Sequence, residues 1–297
     1  MTVPELDTED EEAVTDRGRG RLVIAAAAAA VVAFLLLAYF GGALLASATE
    51  KNDAESKLKA TFGHRSQLSD VLTEDPARTY NPGSSDFNPK QGKTAFDDYL
   101  GKLNHALAVN RDDQAALNAV DGRIQSRRWL TSIRNSDLER QHRRIQDALA
   151  ALSDADQELH ILKDQVTYLS TLFDALIEFQ RATELIQADD INGAIVASDS
   201  SDKKMQKALG LSRTGNLPPP FVNFTNNLRV LVGDMRDLLA AIKRRDSTSA
   251  EQTVSRMDND FQLLSSFNQA AYERFEDGLL KPFHDGYLSK LDKAESG

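Results

Sequence analysis

The residues best suited to binding a ligand are a group of arginines in the middle third of the sequence. Guanidinium groups bind phosphates and carboxylates through paired hydrogen bonds, and a tryptophan among them can stack on a bound group. The group could therefore hold an anionic envelope polymer, a lipid headgroup or an acidic protein surface. Ion pairing along helix surfaces with Asp121, Asp137 and Glu139 is the alternative interpretation, and the more common one. The candidate residues for an anionic partner are Arg123, Arg127, Arg128, Trp129, Arg140, Arg143 and Arg144.

Metal binding is the next chemistry to consider, because Glu139 and His142 have the Glu-x-x-His spacing that places two ligands on one helical face. Di-iron bundles need two such pairs and two further carboxylates, whereas this sequence has one pair. The histidines lack a zinc-binding spacing. The sequence therefore predicts no metal and no cofactor. The five histidines are His64, His105, His142, His160 and His284.

Nucleophilic catalysis is suggested by two overlapping Ser-x-x-Lys patterns, Ser200 with Lys203 and Ser201 with Lys204. This pattern occurs in penicillin-binding serine enzymes, but the motifs that accompany it there are absent. The sequence also contains no Gly-x-Ser-x-Gly elbow, no phosphate-binding glycine-rich loop and no dinucleotide fingerprint. We therefore interpret both patterns as polar helix surface and predict that the protein is not an enzyme.

Composition predicts an all-α fold. The 297 residues are 41% hydrophobic but only 7% aromatic, with 16 glycines and 8 prolines, and this balance favours helices over strands. There is no cysteine, which excludes disulfides and thiolate metal sites. The expected architecture is a single N-terminal transmembrane helix followed by an extracytoplasmic antiparallel bundle of helical hairpins, some with long helices.

The transmembrane helix is predicted at residues 22–46, where 25 consecutive residues carry no charge. At about 1.5 Å per residue, a helix of this length crosses a hydrocarbon core of about 30 Å. Arg17, Arg19 and Arg21 precede it, so the N-terminus is expected in the cytoplasm. Cleavage of a signal peptide at Ala46-Ser47-Ala48 is the alternative. Either interpretation places the residues after 48 outside the cytoplasm. The transmembrane interpretation, which we favour, also anchors the chain in the cell membrane.

The N-terminal residues 1–21 contain seven acidic residues and three arginines, so we expect a disordered acidic tail. Removing them leaves 32 basic and 38 acidic residues, since 35 − 3 = 32 and 45 − 7 = 38. This acidic balance and the predicted location argue against nucleic acid as a partner.

After the membrane segment, a membrane-proximal helix is predicted over residues 47–72 and a Pro/Gly-rich linker or loop over 73–93. The helical-bundle domain would then occupy residues 94–297. Its first hairpin is predicted to turn near Asn110 to Asp113. Further helices are predicted over 191–209, 219–245 and 249–280, the last ending near Lys281 and Pro282.

The clearest periodicity lies between residues 136 and 188, where apolar residues advance in steps of three, four and seven. A single long helix is favoured because no Gly or Pro marks a turn, while two helices joined near Ser153 remain the alternative. The apolar positions are Leu138, Ile145, Leu149, Leu152, Leu159, Leu162, Val166, Leu169, Phe173 and Leu176.

A short pattern recurs where helices are expected to meet. Asp112, Asp190 and Asp246 are each followed four residues later by alanine. The aspartate can cap the second helix, and the alanine allows two helices to approach closely. Each turn resembles the helix-turn-helix junction of tetratricopeptide repeats. The intervals of 78 residues (112 to 190) and 56 residues (190 to 246) do not form a constant repeat, so the resemblance implies helical hairpins only.

Two functions are compatible with these features. The first is a membrane-anchored binding or scaffold module of the cell envelope that interacts with a protein or an envelope component. The second is an extracytoplasmic small-ligand sensor, similar to the periplasmic bundles of chemoreceptors, which would work through a separate membrane partner. In that case Trp129 or Tyr168 would line a pocket between helices. Apolar helix faces in excess of those needed for one core would also allow a homo-oligomer.

Overall fold

All the regular secondary structure in the computed structural model is helical across the residues that it describes, namely 42, 45–74, 76, 88–126, 135–212, 216–265 and 269–297. The prediction of an all-α protein with long, mutually packed helices is confirmed for this part of the chain. The helices are α1 (45–63), α2 (Arg65–Thr73), α3 (Pro89–Ser126), α4 (Asn135–Gln187), α5 (Ile191–Leu211), α6 (Pro219–Arg244), α7 (Ser247–Ser265) and α8 (Gln269–Ser296).

The predicted tail and nearly all of the predicted transmembrane helix lie outside the described residues, since only 42, 45 and 46 of the range 22–46 are included. No helix in the described ranges combines the length and apolar character required of a membrane span. Most of the predicted linker at 73–93 also lies outside, although residues 89–93 belong to α3.

The described residues belong to two compact units. The first contains residues 42, 45–56, 119–126 and 135–142, and the second contains 57–74, 76, 88–118, 143–212, 216–265 and 269–297.

Polar contacts join the helical segments of the first unit. The Arg123 guanidinium donates to Glu50 over 3.2 Å and contacts Asp53, while the Gln141 amide donates to Glu55 over 3.2 Å. Glu50 and Gln141 are almost fully buried. Because buried charges and amides need partners, these contacts help to fix how the three segments pack.

The middle and C-terminal parts of α4 supply much of the core of the second unit. Leu152, Leu159 and Leu172 are fully buried. Phe173 meets Phe96 of α3 edge to face at 5.0 Å. A smaller apolar cluster joins the end of α4 to α5 and α6 through Ala182, Ala194, Ala197, Met235 and Leu239. The predicted apolar stripe therefore faces other helices.

The long helix predicted over 136–188 is confirmed, since α4 runs without interruption from Asn135 to Gln187. The turn predicted near Asn110 to Asp113 is wrong, because α3 continues through it to Ser126. The physical reason is that these polar side chains have partners inside the fold. The Asn110 amide donates to the Leu152 carbonyl over 3.1 Å, and Asp113 contacts His64 Nδ1 at 2.9 Å.

The predicted end of the last helix near Lys281 and Pro282 is also wrong. The described chain forms two helices here, α7 and α8, and Pro282 lies within α8. A proline removes one backbone hydrogen bond and strains the preceding turn. Burial beyond the proline offsets this cost, because Tyr287 and Leu291 of α8 are fully buried.

Two of the three predicted Asp turns are confirmed. The Asp190 carboxylate accepts from the Gly193 amide over 2.9 Å, which caps α5. The Asp246 carboxylate accepts from the amide and the hydroxyl of Ser249 at 3.1 and 2.6 Å. The third turn does not exist, since Asp112 lies exposed within α3. The shared pattern therefore marks a hairpin at two of its three occurrences.

Candidate functional site

The structure describes only part of the predicted arginine patch. Arg127, Arg128 and Trp129 lie outside the described residues. In the first unit, Arg123 is bound to Glu50 and Asp53, which are not the acidic residues expected to pair with the patch, and Arg140 is exposed.

Two arginines of the patch lie in the second unit. Arg143 is exposed there. The Arg144 guanidinium donates to the Ala294 carbonyl over 2.8 Å, which joins α4 to α8. Arg144 therefore has a structural contact, and an anionic partner for the patch stays a prediction.

The histidines have separate environments. His142 contacts the buried Asp121 at 2.5 Å, His64 contacts Asp113, and His160 lies on the surface beside Asp156. Within the described ranges, no group of three or more histidines and acidic residues is arranged to hold a metal ion. His284 differs from the other histidines in bordering a cavity, which is described below.

In the second Ser-x-x-Lys pattern, Ser201 and Lys204 each contact α4. Ser201 is fully buried, contrary to the expectation of a surface position, and its hydroxyl donates to the Ala175 carbonyl over 2.8 Å. The Lys204 ammonium lies 3.1 Å from the Glu178 carboxylate. Both side chains bind α5 to α4.

The strongest candidate site is a partly open cavity of about 300 Å³ in the second unit, between α2, α3, α4 and α8. We call it the Glu158 cavity. Its apolar wall includes Phe96 and Tyr99 from α3, and Tyr272 from α8. The Tyr99 hydroxyl donates to the Val71 carbonyl over 2.8 Å, which holds the ring in place. The apolar and aromatic lining residues are Leu72, Pro76, Phe96, Tyr99, Leu162, Val166, Leu169, Tyr272 and Leu280.

Glu158 is the least expected member of this lining. It is only 2% exposed, and its Oε2 atom is buried without a hydrogen-bond partner. Its Oε1 atom lies 3.4 Å from His284 Nδ1. Burial raises the pKa of Glu158 to about 8, and the nearby charge of Asp285 adds to the effect. A buried carboxyl group with an unpaired oxygen costs about 1–3 kcal/mol, which makes this position a candidate for function.

The remaining polar lining is predominantly acidic. The lining contains five carboxyl groups but only one lysine and one histidine. The acidic residues are Glu74, Glu158, Glu276, Asp277 and Asp285, and the basic residues are Lys281 and His284. Lys281 pairs with Asp285 at 2.8 Å, and Glu74 pairs with Lys102 at 2.7 Å. The cavity therefore combines aromatic surface with an excess of negative charge.

Tyr168, which was expected to line a pocket, borders only a void of about 10 Å³. Its hydroxyl is fully buried, donates to the Phe221 carbonyl over 2.8 Å and also contacts the Thr225 hydroxyl. Burial raises the pKa of Tyr168. Tyr168 is thus a structural residue between α4 and α6.

Sequence reasoning missed Glu158, although a signal was present. Ala151, Ala155, Glu158 and Leu162 follow one another by three or four residues and so share one face of α4. A carboxylate on an otherwise apolar face is uncommon unless it is paired or functional. The nearby acidic residue Asp156 is only half-buried.

Comparison with known proteins gives no match to a protein family, to a curated protein or to a solved structure.

Proposed function

We propose that this protein is a non-enzymatic, membrane-anchored binding module whose helical part lies outside the cytoplasm and receives a small ligand in the Glu158 cavity. This is the sensor function of the two considered from the sequence. A separate membrane partner would carry the response to ligand binding.

The observation that carries this proposal is that Glu158, whose Oε2 atom is buried without a partner, lines a partly open cavity. Ligand sites are typically concave, mostly apolar and equipped with a few polar groups that orient the ligand. A volume of about 300 Å³ lies at the lower end of their range, so a small molecule suits the cavity.

The membrane anchor is supported by the uncharged residues 22–46 and the arginines before them.

The absence of native cysteine permits a direct topology test. Single cysteines would replace Thr8 and Ser296 in separate full-length chains expressed in bacteria. A membrane-impermeant maleimide should label the Ser296→Cys chain in intact cells, and the Thr8→Cys chain only after lysis. Labelling of both chains in intact cells, or of neither, would contradict the proposed topology.

Ligand binding can be tested by native mass spectrometry of the full chain with a library of small molecules of varied charge. A matched variant, Thr73→Trp, places a bulky side chain at an exposed position on the cavity rim. We expect ligands that bind the parent chain and not the variant. If no compound of any charge distinguishes the two chains, the cavity is not a ligand site.

A scaffold function is the second candidate, and exposed apolar side chains on α5 and α6 favour it. Val196 is 69% exposed and Val230 is 57% exposed. Val230 borders a shallow groove with Ile195, three aspartates and Arg236, which pairs with Asp199 at 2.7 Å. The other two aspartates, Asp234 and Asp237, both contact Arg256. Scattered apolar residues are normal on surfaces, whereas a groove with an acidic rim suits a basic, amphipathic protein segment.

The scaffold function predicts a specific neighbour at this groove. A photo-crosslinking residue at Val230 should yield one dominant protein adduct in cells, and a crosslinker at Ser255, which is exposed on α7, should not. Equal adduct patterns from the two positions would argue against a partner at the groove.

A further inference from the structure

We propose that the ligand of the Glu158 cavity is a small organic cation, an ammonium group on an apolar body, with its charge placed against the Glu158 carboxyl group. This inference rests on the proposed ligand-binding function and adds the chemical class of the ligand.

Glu158 has one oxygen without a hydrogen-bond donor. His284 Nδ1 approaches Oε1 at 3.4 Å, whereas Oε2 is buried without a partner, in a residue that lines the cavity. An ammonium group carries donors only, so it can bind this oxygen without leaving an acceptor unpaired. An anion would instead lie against the acidic neighbours of Glu158, such as Asp277 and Asp285.

The lining contains more acidic than basic side chains. Glu158 shares the cavity with four other carboxyl groups. Of these, Asp285 pairs with the rim lysine, Lys281, and Glu74 pairs with Lys102. A cleft with low-dielectric walls and one sign of charge in excess raises the local concentration of ions of the opposite sign. The potential of the cavity therefore favours a cation.

The aromatic wall of the cavity suits a ligand with an apolar body. This aromatic surface is provided by Phe96, Tyr99 and Tyr272, in the same cavity as Glu158. Aromatic rings attract cations within about 6 Å and also bury apolar groups. A bare metal ion would use neither property, and the described residues hold no cluster of three metal-ligating side chains. An organic cation uses both.

Binding should be coupled to proton release. Burial raises the pKa of Glu158 to about 8, so the carboxyl group holds its proton near neutral pH when the cavity is empty. An entering ammonium group stabilises the carboxylate, and the Glu158 proton then passes to solvent. The other titratable groups at the cavity are Tyr99 on α3, Glu74 after α2 and six residues of α8, namely Tyr272, Glu276, Asp277, Lys281, His284 and Asp285.

The test is isothermal titration calorimetry of the full chain in lipid nanodiscs with three compounds of matched shape. These are 2-phenylethylamine, the neutral 2-phenylethanol and the anionic 3-phenylpropionate, supplemented by primary amines of about four to twelve heavy atoms. We expect an amine to bind about tenfold or more tightly than its neutral counterpart. Glu158→Gln should abolish this preference, and Glu178→Gln, which alters a glutamate of α4 outside the cavity lining, should preserve it.

A second readout separates charge recognition from a change in cavity shape. Titrations in phosphate and in HEPES, buffers that differ in ionisation enthalpy and lack a primary amine, should reveal release of close to one proton per amine bound at about pH 7, and none from the Glu158→Gln chain. Equal affinity for the amine and the alcohol, or an amine preference that survives Glu158→Gln, would overturn the inference while leaving the ligand-binding function intact. Binding of no compound of any charge would overturn both.

Discussion

The side-chain hydroxyl of Tyr168 on α4 donates a 2.8 Å hydrogen bond to the backbone carbonyl of Phe221 on α6, and the two rings meet edge to face at 6.4 Å. The Thr225 hydroxyl donates to the same carbonyl over 2.9 Å. A polar side chain at the centre of the second unit is thus satisfied by the backbone of a neighbouring helix. Tyr287 of α8 differs, because its hydroxyl is equally buried and has no hydrogen-bond partner.

This difference predicts opposite results for the same substitution. Tyr168→Phe should lower the free energy of unfolding by about 1 kcal/mol, because a buried hydrogen bond is lost. Tyr287→Phe should be neutral or stabilising, because it removes a buried hydroxyl that has no partner. Urea unfolding of the full chain measures both changes. A larger loss of stability for Tyr287→Phe than for Tyr168→Phe would contradict the assigned hydrogen bonds.

Glu158 predicts a specific dependence of stability on pH. The pKa of Glu158 is about 8 in the folded protein, against an ordinary value of 4.5. The folded chain therefore binds more protons than the unfolded chain between these values, so this group's contribution to stability is lost as pH rises from about 4.5 to 8. The loss is roughly 4–5 kcal/mol, from about 1.4 kcal/mol per pKa unit.

The measurement is urea unfolding of the parent chain and Glu158→Gln at about pH 5 and pH 9. The parent chain should lose stability relative to the variant as pH rises, because glutamine does not titrate. A constant difference between the two chains would show that Glu158 ionises normally in the folded protein.

Two glycines of α3 predict opposite effects of added bulk. A Cβ atom at Gly92 would collide with the ring of Phe173, whereas one at Gly101 would meet nothing within 4 Å. Gly92→Ala should destabilise the protein by about 1–3 kcal/mol, since the core must shift. Gly101→Ala should stabilise it by up to about 1 kcal/mol through helix propensity. Thermal unfolding of both variants tests this contact, and equal shifts would refute it.

The Asp turns supply a third matched pair. Asp190→Ala should cost about 1 kcal/mol, because the carboxylate caps α5 at the Gly193 amide. Asp112→Ala should be neutral or slightly stabilising, because Asp112 lies exposed within α3 and alanine has the higher helix propensity. Both changes can be measured by urea unfolding. A substantial loss at Asp112 would indicate that its carboxylate has a structural role after all.

The helical class, the continuous α4 and the caps at Asp190 and Asp246 could all be predicted from the amino-acid sequence alone. These features depend on local physics. The apolar stripe through Leu152 and Leu159 repeats with the helical period, and a capping aspartate bonds to an amide only three residues away. Such interactions are encoded within a few turns of chain, so they can be predicted without knowledge of the rest of the fold.

Whether polar and helix-breaking residues lie within a helix or at its end could be learned only from the tertiary structure. Asn110 suggested a turn but lies within α3, because its amide reaches the Leu152 carbonyl of α4. Pro282 suggested a helix end but lies within α8, where burial of Tyr287 and Leu291 offsets its cost. The hydrogen-bond partner of Asn110 is distant in sequence. The burial that compensates for Pro282 cannot be deduced from the spacing of residues.

The Glu158 cavity belongs to this second group. The position of Glu158 on the apolar face of α4 is visible in the sequence, but its unpaired oxygen and its neighbour His284 exist only once α8 packs against α4. Helical periodicity specifies which residues share a face, whereas a cavity is defined by the space left between faces. That space depends on how side chains from four separate helices fill it, which is a property of the folded chain alone.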